Sequence, residues 1–162
     1  MTTIETNKKF KCPFTPAIID FTKEPKIPEH HKIHLHNSHM GIKQLSHMEF
    51  ALFTTWQQKE GKIVDGGEIY RKLLSKVLYP ANLLDHFLLH PEDIPDELKG
   101  DEKKPIYTFF WGTYYMNSDL QYCVRGIYFK DHQWKECIHA FDPYDLEKDE
   151  SWPSNCLALI EA

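Results

Sequence analysis

Ten positions hold five histidines: HHKIHLHNSH, residues 30 to 39. Imidazole titrates near neutral pH and is the commonest metal ligand, so this stretch offers acid–base or metal chemistry. If IHL is a strand, His34 and His36 stand at i and i+2 and project from one face, where both can reach one cation. His39 is close enough in sequence to complete a divalent-metal set with them; His30, His31 and His47 are further donors. The competing expectation is an edge strand with Ile33 and Leu35 on the core side and the imidazoles in water. His86 and His90 have the i, i+4 spacing of a helical zinc pair, yet the sequence between them, HFLLH, lacks the glutamate of HExxH.

The cysteines offer a second chemistry. Cys12, Cys123, Cys137 and Cys156 are widely spread with no CxxC pair, so they read as reduced thiols of a cytoplasmic protein. Cys123 and Cys137 fall on neighbouring strands close to His132, His139 and Asp142. A thiol–imidazole pair or a cross-strand disulfide is conceivable there, against the commoner buried cysteine of a β-core. The third feature is aromatic. Tyr107, Trp111 and Tyr115 alternate along one strand, and exposed residues of this kind anchor protein partners.

The elements that must position these groups divide the chain by period. Residues 1–29 carry Pro13, Pro16, Pro25 and Pro28 and read as an extended arm. Three helices are expected over 46–90. The first is capped by Ser46 with Glu49, the second by Asp65 with Glu68, and the third follows Pro80 and carries Leu83, Leu84, Phe87 and Leu88. Residues 91–105 form a polar connection. Beyond it, residues 106–116, 120–129 and 134–141 alternate with period two and read as an antiparallel meander, with CLALI (156–160) as a fourth strand in the tail 142–162. The expected class is α+β in a single domain: an N-terminal strand, three short helices, then a three- to four-stranded meander. Strand 106–116 is apolar on both faces, so something must cover it twice. A second copy of the chain is one candidate, which makes a homodimer the expected state.

The segment LSHMEFALF…GKIV…EI resembles the winged-helix output domains of response regulators. Leu45, Ser46, Glu49, Phe50, Leu52 and Phe53 match their first helix, and Gly61, Ile63, Val64 and Ile69 follow in register. The likeness spans residues 45–70 and implies a helix-turn-helix and a nucleic-acid-binding regulator. That family reads DNA with a basic third helix, whereas NLLDHFLLHPED contains no Arg or Lys. Residues 81–104 hold seven acids against three lysines, a surface that repels phosphates. No duplex binding is expected.

Composition sets the remaining bounds. The 162 residues carry a formal charge of −5, 41% hydrophobic and 14% aromatic residues, which suits a packed domain. The start MTTIETNKKF has no apolar stretch of a signal peptide, and no run reaches the roughly 18 apolar residues of a membrane span. The chain is therefore expected to be a small cytoplasmic, non-catalytic binding or regulatory module that recognises a protein or itself. No cofactor is expected. A metal-dependent enzyme using the histidines and a divergent winged-helix regulator are the rivals.

Overall fold

The structure, a computed structural model, describes residues 8–13, 15–143 and 151–162. In chain order the elements are β1 (Ile18–Asp20), β2 (His31–His36), β3 (Ile42–Gln44), β4 (Phe50–Phe53), α1 (Trp56–Lys59), β5 (Val64–Asp65), α2 (Gly66–Leu73), α3 (Ala81–Leu89), β6 (Gly100–Asp101), β7 (Lys104–Pro105), β8 (Tyr107–Phe109), β9 (Thr113–Asn117), β10 (Tyr122–Lys130), β11 (Gln133–Phe141), β12 (Ser151–Trp152) and β13 (Cys156–Glu161). Among the described residues, seven strands form one curled sheet in the order β2–β9–β10–β8–β13–β4, with β11 on the opposite side of β10. One flank of β10 is shared: β9 pairs with it at Tyr122 and Cys123, and β8 at Gly126 and Ile127. The strand β13 runs parallel to β8 and antiparallel to β4.

The protein is thus mostly β, and the expected α+β order of three helices followed by a meander is overturned. The error starts at residue 46. Instead of a helix capped by Ser46 and Glu49, Leu45–His47 makes one 3-10 turn and Phe50–Phe53 enters the main sheet. A four-residue apolar run fits either structure locally, and its pairing with β13 decides. The real capping box lies further on, where Thr55 and Gln58 bond each other reciprocally at the start of the single-turn α1. The helix-turn-helix expected from the resemblance is therefore replaced by turn, strand and a short helix. Two later helices do form. Asp65 accepts the Glu68 amide at the start of α2, and α3 begins directly after Pro80. No helix among the described residues is long and apolar enough to cross a membrane.

Alternation of side chains splits the core into two layers. Phe50 and Leu52 of β4, Leu157 and Leu159 of β13, Phe110 and Ile127 join Leu83, Leu84 and Phe87 of α3 together with Phe10 and Phe21 from the N-terminal arm. On the other face, Ala51, Ala158, Ile160, Phe109, Trp111 and Val124 pack against Ile69 and Leu73 of α2 and against Trp152. Both faces of the aromatic strand are thus covered from within the chain, by arm and α3 on one side and by α2 and Trp152 on the other.

That strand is not continuous. It breaks at Phe110–Gly112, where Gly112 donates to the Tyr79 carbonyl and accepts from Asn37. A Cβ on Gly112 would lie 2.5 Å from Pro80 N and 2.7 Å from Leu78 O, so only glycine lets the backbones approach this closely. The break adds one residue and reverses parity: odd residues face the α2 side up to Trp111 and the α3 side from Thr113. The β10–β11 hairpin closes through Asp131 and His132, both with positive φ (52° and 59°), as a two-residue primed turn requires.

Candidate functional site

The parity reversal separates the aromatic residues expected to share a face. Trp111 packs in the α2-side core, where its ring meets Phe141 and Trp152. Tyr107 is half-buried at the margin of that side, stacked on Tyr128. Tyr115 is fully buried on the opposite face, its hydroxyl donating to the Lys26 carbonyl. The three do not form one anchor surface.

The histidines separate for the same kind of reason. The pairing of β2 with β9 slips between Ile33 and Leu35, and this bulge turns His34 and His36 to opposite faces. His34 is exposed and lies against Tyr114 and Tyr122. His36 bridges the arm to the sheet: its Nε2 is 2.9 Å from the Phe21 carbonyl and its Nδ1 2.9 Å from Thr113 Oγ1. A carbonyl only accepts, so Nε2 donates to Phe21, while Nδ1 shares a hydrogen bond with the threonine hydroxyl. Thr113 Oγ1 in turn accepts the Ala81 amide at the first turn of α3, capping that helix from a distant strand. His39 is exposed in a 3-10 turn. The expected set His34, His36 and His39 therefore does not converge, and no three His, Cys, Asp or Glu side chains among the described residues are grouped to hold a metal ion. His30 and His31 line a shallow depression of about 270 Å³ where the start of β2 meets the end of β9. His86 and His90 are ring neighbours on α3, with His86 Nε2 2.7 Å from Asp93.

The cysteines are set up for burial. Cys137 lies opposite Gly126 on the α2 side, while Cys123 shares the parity of Arg125 on the other face, so the two point apart. None of the four cysteines forms a disulfide among the described residues. Burial pushes the thiols of Cys12, Cys137 and Cys156 up to about 12, the opposite of what a thiolate nucleophile needs. His139 is 4.3 Å from the Trp152 ring, centroid to centroid.

The densest polar cluster centres on a residue not singled out from the sequence. Arg125, in the middle of β10, is fully buried. Its Nη2 donates to Asp85 of α3 at 2.7 Å, its Nε to Glu136 of β11 at 2.6 Å, and its Nη1 to the Lys26 carbonyl and the Tyr115 hydroxyl. Asp85 also accepts the Lys26 amide at 2.7 Å. Burial works against the charge on Arg125, yet Asp85, Tyr115 and Glu136 outweigh it and raise its pKa above the ordinary value. Both peptide groups of Lys26 are thereby held. Asn82, one turn before Asp85, donates to the carbonyls of Asp20 and Lys23. This cluster straps the arm across α3 and engages four of the five guanidinium N–H donors. Its sequence signal is a lone arginine inside the apolar run LQYCVRGIYF, which demands buried acids as partners.

The remaining feature is an edge. The strand β11 is nine residues long and pairs with β10 at every position. Among the described residues no other strand pairs with it. The direction of its peptide groups follows from its neighbour. The Arg125 carbonyl accepts from Phe110 on the β8 side, so Arg125 faces away from β11 and the Arg125–Ile138 pair is of the non-hydrogen-bonded kind. Trp134, Glu136, Ile138 and Ala140 consequently direct their N–H and C=O groups outward. Ile138 is also 39% exposed.

No protein-family model matches the chain, and no curated protein or solved structure matches it either.

Proposed function

We propose that the chain is a non-catalytic binding module that recognises an extended protein segment by strand addition to β11. One observation carries this: the nine-residue edge, paired with β10 in unbroken register, with four residues presenting their backbone groups outward. Strand addition draws affinity from main-chain hydrogen bonds and specificity from alternate side chains. An incoming strand meets Lys135 and Cys137 on one face and Trp134, Glu136 and Ile138 on the other. Proteins that do not use such an edge shorten it, bend it, charge it or break it with proline; QWKECIHAF has no proline, and its two charges are already paired, Lys135 with Asp131 and Glu136 with Arg125. In this reading the chain works as one domain in the cytoplasm.

Amide exchange followed residue by residue is the test. The Trp134, Glu136, Ile138 and Ala140 amides should exchange quickly in the monomer, while those of Lys135 and Cys137, bonded to β10, are protected. A synthetic peptide of alternating β-branched and polar residues should slow those four selectively. Slow exchange at the four positions in the monomer would overturn the proposal, because the chain itself would then close the edge.

A further inference from the structure

We infer that a second copy of the chain fits this edge: two β11 strands pair antiparallel about a two-fold axis through Cys137. The inference rests on the strand-edge proposal and adds occupant and register. A two-fold axis normal to the sheet sets outward-pointing residues against outward-pointing residues. Centred on Cys137, this places Glu136 opposite Ile138 and Trp134 opposite Ala140, each pair occurring twice and exchanging backbone hydrogen bonds. Lys135 then faces His139, and Gln133 faces Phe141. All nine residues of β11 take part.

The neighbouring registers are worse for stated reasons. A shift of two toward the strand start sets Glu136 directly against Glu136, and like charges opposite one another destabilise a pair. The opposite shift sets Ile138 on Ile138 but shortens the overlap by two residues. The centred register is the one that opposes no like carboxylates, uses the full length, and matches the large Trp134 with the small Ala140. It also covers Ile138, which is exposed between half-buried neighbours.

The apposition of residues 136 and 138 makes a signed test possible on the full chain. Sedimentation velocity across micromolar concentrations should show a reversible dimer in the unmodified protein. Ile138→Glu opposes two carboxylates at both symmetric positions and should weaken the dimer about tenfold or more. Ile138→Lys opposes Lys to Glu136 and should leave the dimer as tight or tighter. Arg125 of β10 is the direct cross-strand partner of Ile138 in the same copy, so thermal melts of each variant must first show that the monomer is folded. If either variant fails to fold, the dimer is read instead from concentration-dependent protection of the Trp134, Glu136, Ile138 and Ala140 amides in the unmodified protein. A dimer that both charges weaken equally, or one whose interface protection falls elsewhere, would overturn the register. A monomer throughout would overturn self-pairing. In that last case, protection of the four amides by the alternating peptide separates a wrong occupant from a wrong edge.

Discussion

Replacing Arg125 with methionine keeps an unbranched apolar stem and deletes the guanidinium and its charge. The hydrogen bonds to Asp85, Glu136, the Lys26 carbonyl and the Tyr115 hydroxyl go with it. Two carboxylates then lose their cation in a partly closed site, with side-chain exposures of 22% for Asp85 and 26% for Glu136. Removing one partner of a buried ion pair costs about 3–5 kcal/mol. Because both acids keep some access to water, the lower end applies, about 3 kcal/mol. At roughly 2–4 °C per kcal/mol for a chain of this size, Tm should fall by about 6–12 °C. Urea unfolding followed by far-UV circular dichroism gives the free energy directly. Limited trypsin digestion gives the location: cleavage after Lys23 and Lys26 should accelerate below the melting transition, because the strap over α3 loses its main clamp. Asp85→Asn added to Arg125→Met should recover part of the loss through the coupling expected within one network. A loss under about 1 kcal/mol with unchanged trypsin cleavage would mean that water already solvates these charges, and the account of the arm as strapped by them would be wrong.

The two central histidines of HHKIHLHNSH should behave differently although they are two residues apart. His34→Gln should change stability by less than about 0.5 kcal/mol, whereas His36→Leu orphans the Phe21 carbonyl and should cost about 1–3 kcal/mol in the same urea titration; equal effects would contradict the bulge at residue 34. Gly112→Ala should destabilise by about 1–3 kcal/mol or prevent folding, since its Cβ would enter the Leu78–Pro80 backbone, and a neutral variant would refute that close approach. Stability should hold below pH 9.0 and fall as pH rises from there toward about 12, because burial holds the Cys12, Cys137 and Cys156 protons in the folded chain while the unfolded chain releases them near 9.0. A urea midpoint unchanged well above pH 9.0 would refute it, and Ellman's reagent should find these thiols slow until the chain unfolds.

What the sequence discloses here depends on how local the cause is. The helix α3 follows from Pro80 and the spacing of Leu83, Leu84 and Phe87, all within three turns. The β10–β11 hairpin follows from alternation on both sides of KDHQ. The strand Phe50–Phe53 does not, because FALF suits a helix or a strand until β13 arrives beside it. Face assignments fail for a related reason. The i, i+2 rule that groups His34 with His36, or Tyr107 and Trp111 with Tyr115, assumes an unbroken strand, and one bulge or break inverts everything beyond it. Gly112 inside IYTFFWGTYYM is the visible hint of such a break, since glycine within a strand marks a bulge or a close approach. Arg125 announces a need for buried acids but not which ones, because Asp85 comes from a helix that only tertiary packing brings near.

The placement of β13 between β8 and β4 has a kinetic consequence. β4 is formed early in the chain and β8 much later, and neither pairs with the other; the sheet joins them only through residues 156–161. Until that segment docks, each presents an open apolar edge, and the contacts that close it span most of the chain. Long-range pairing of this kind is slow, because loop closure must precede the contacts that reward it. The docking of β13 is thus expected to be the late, rate-limiting event. Chains cut short of residue 156 should then accumulate as a five-stranded sheet with β8 open at its edge and β4 without a strand partner, prone to stick to one another rather than merely less stable.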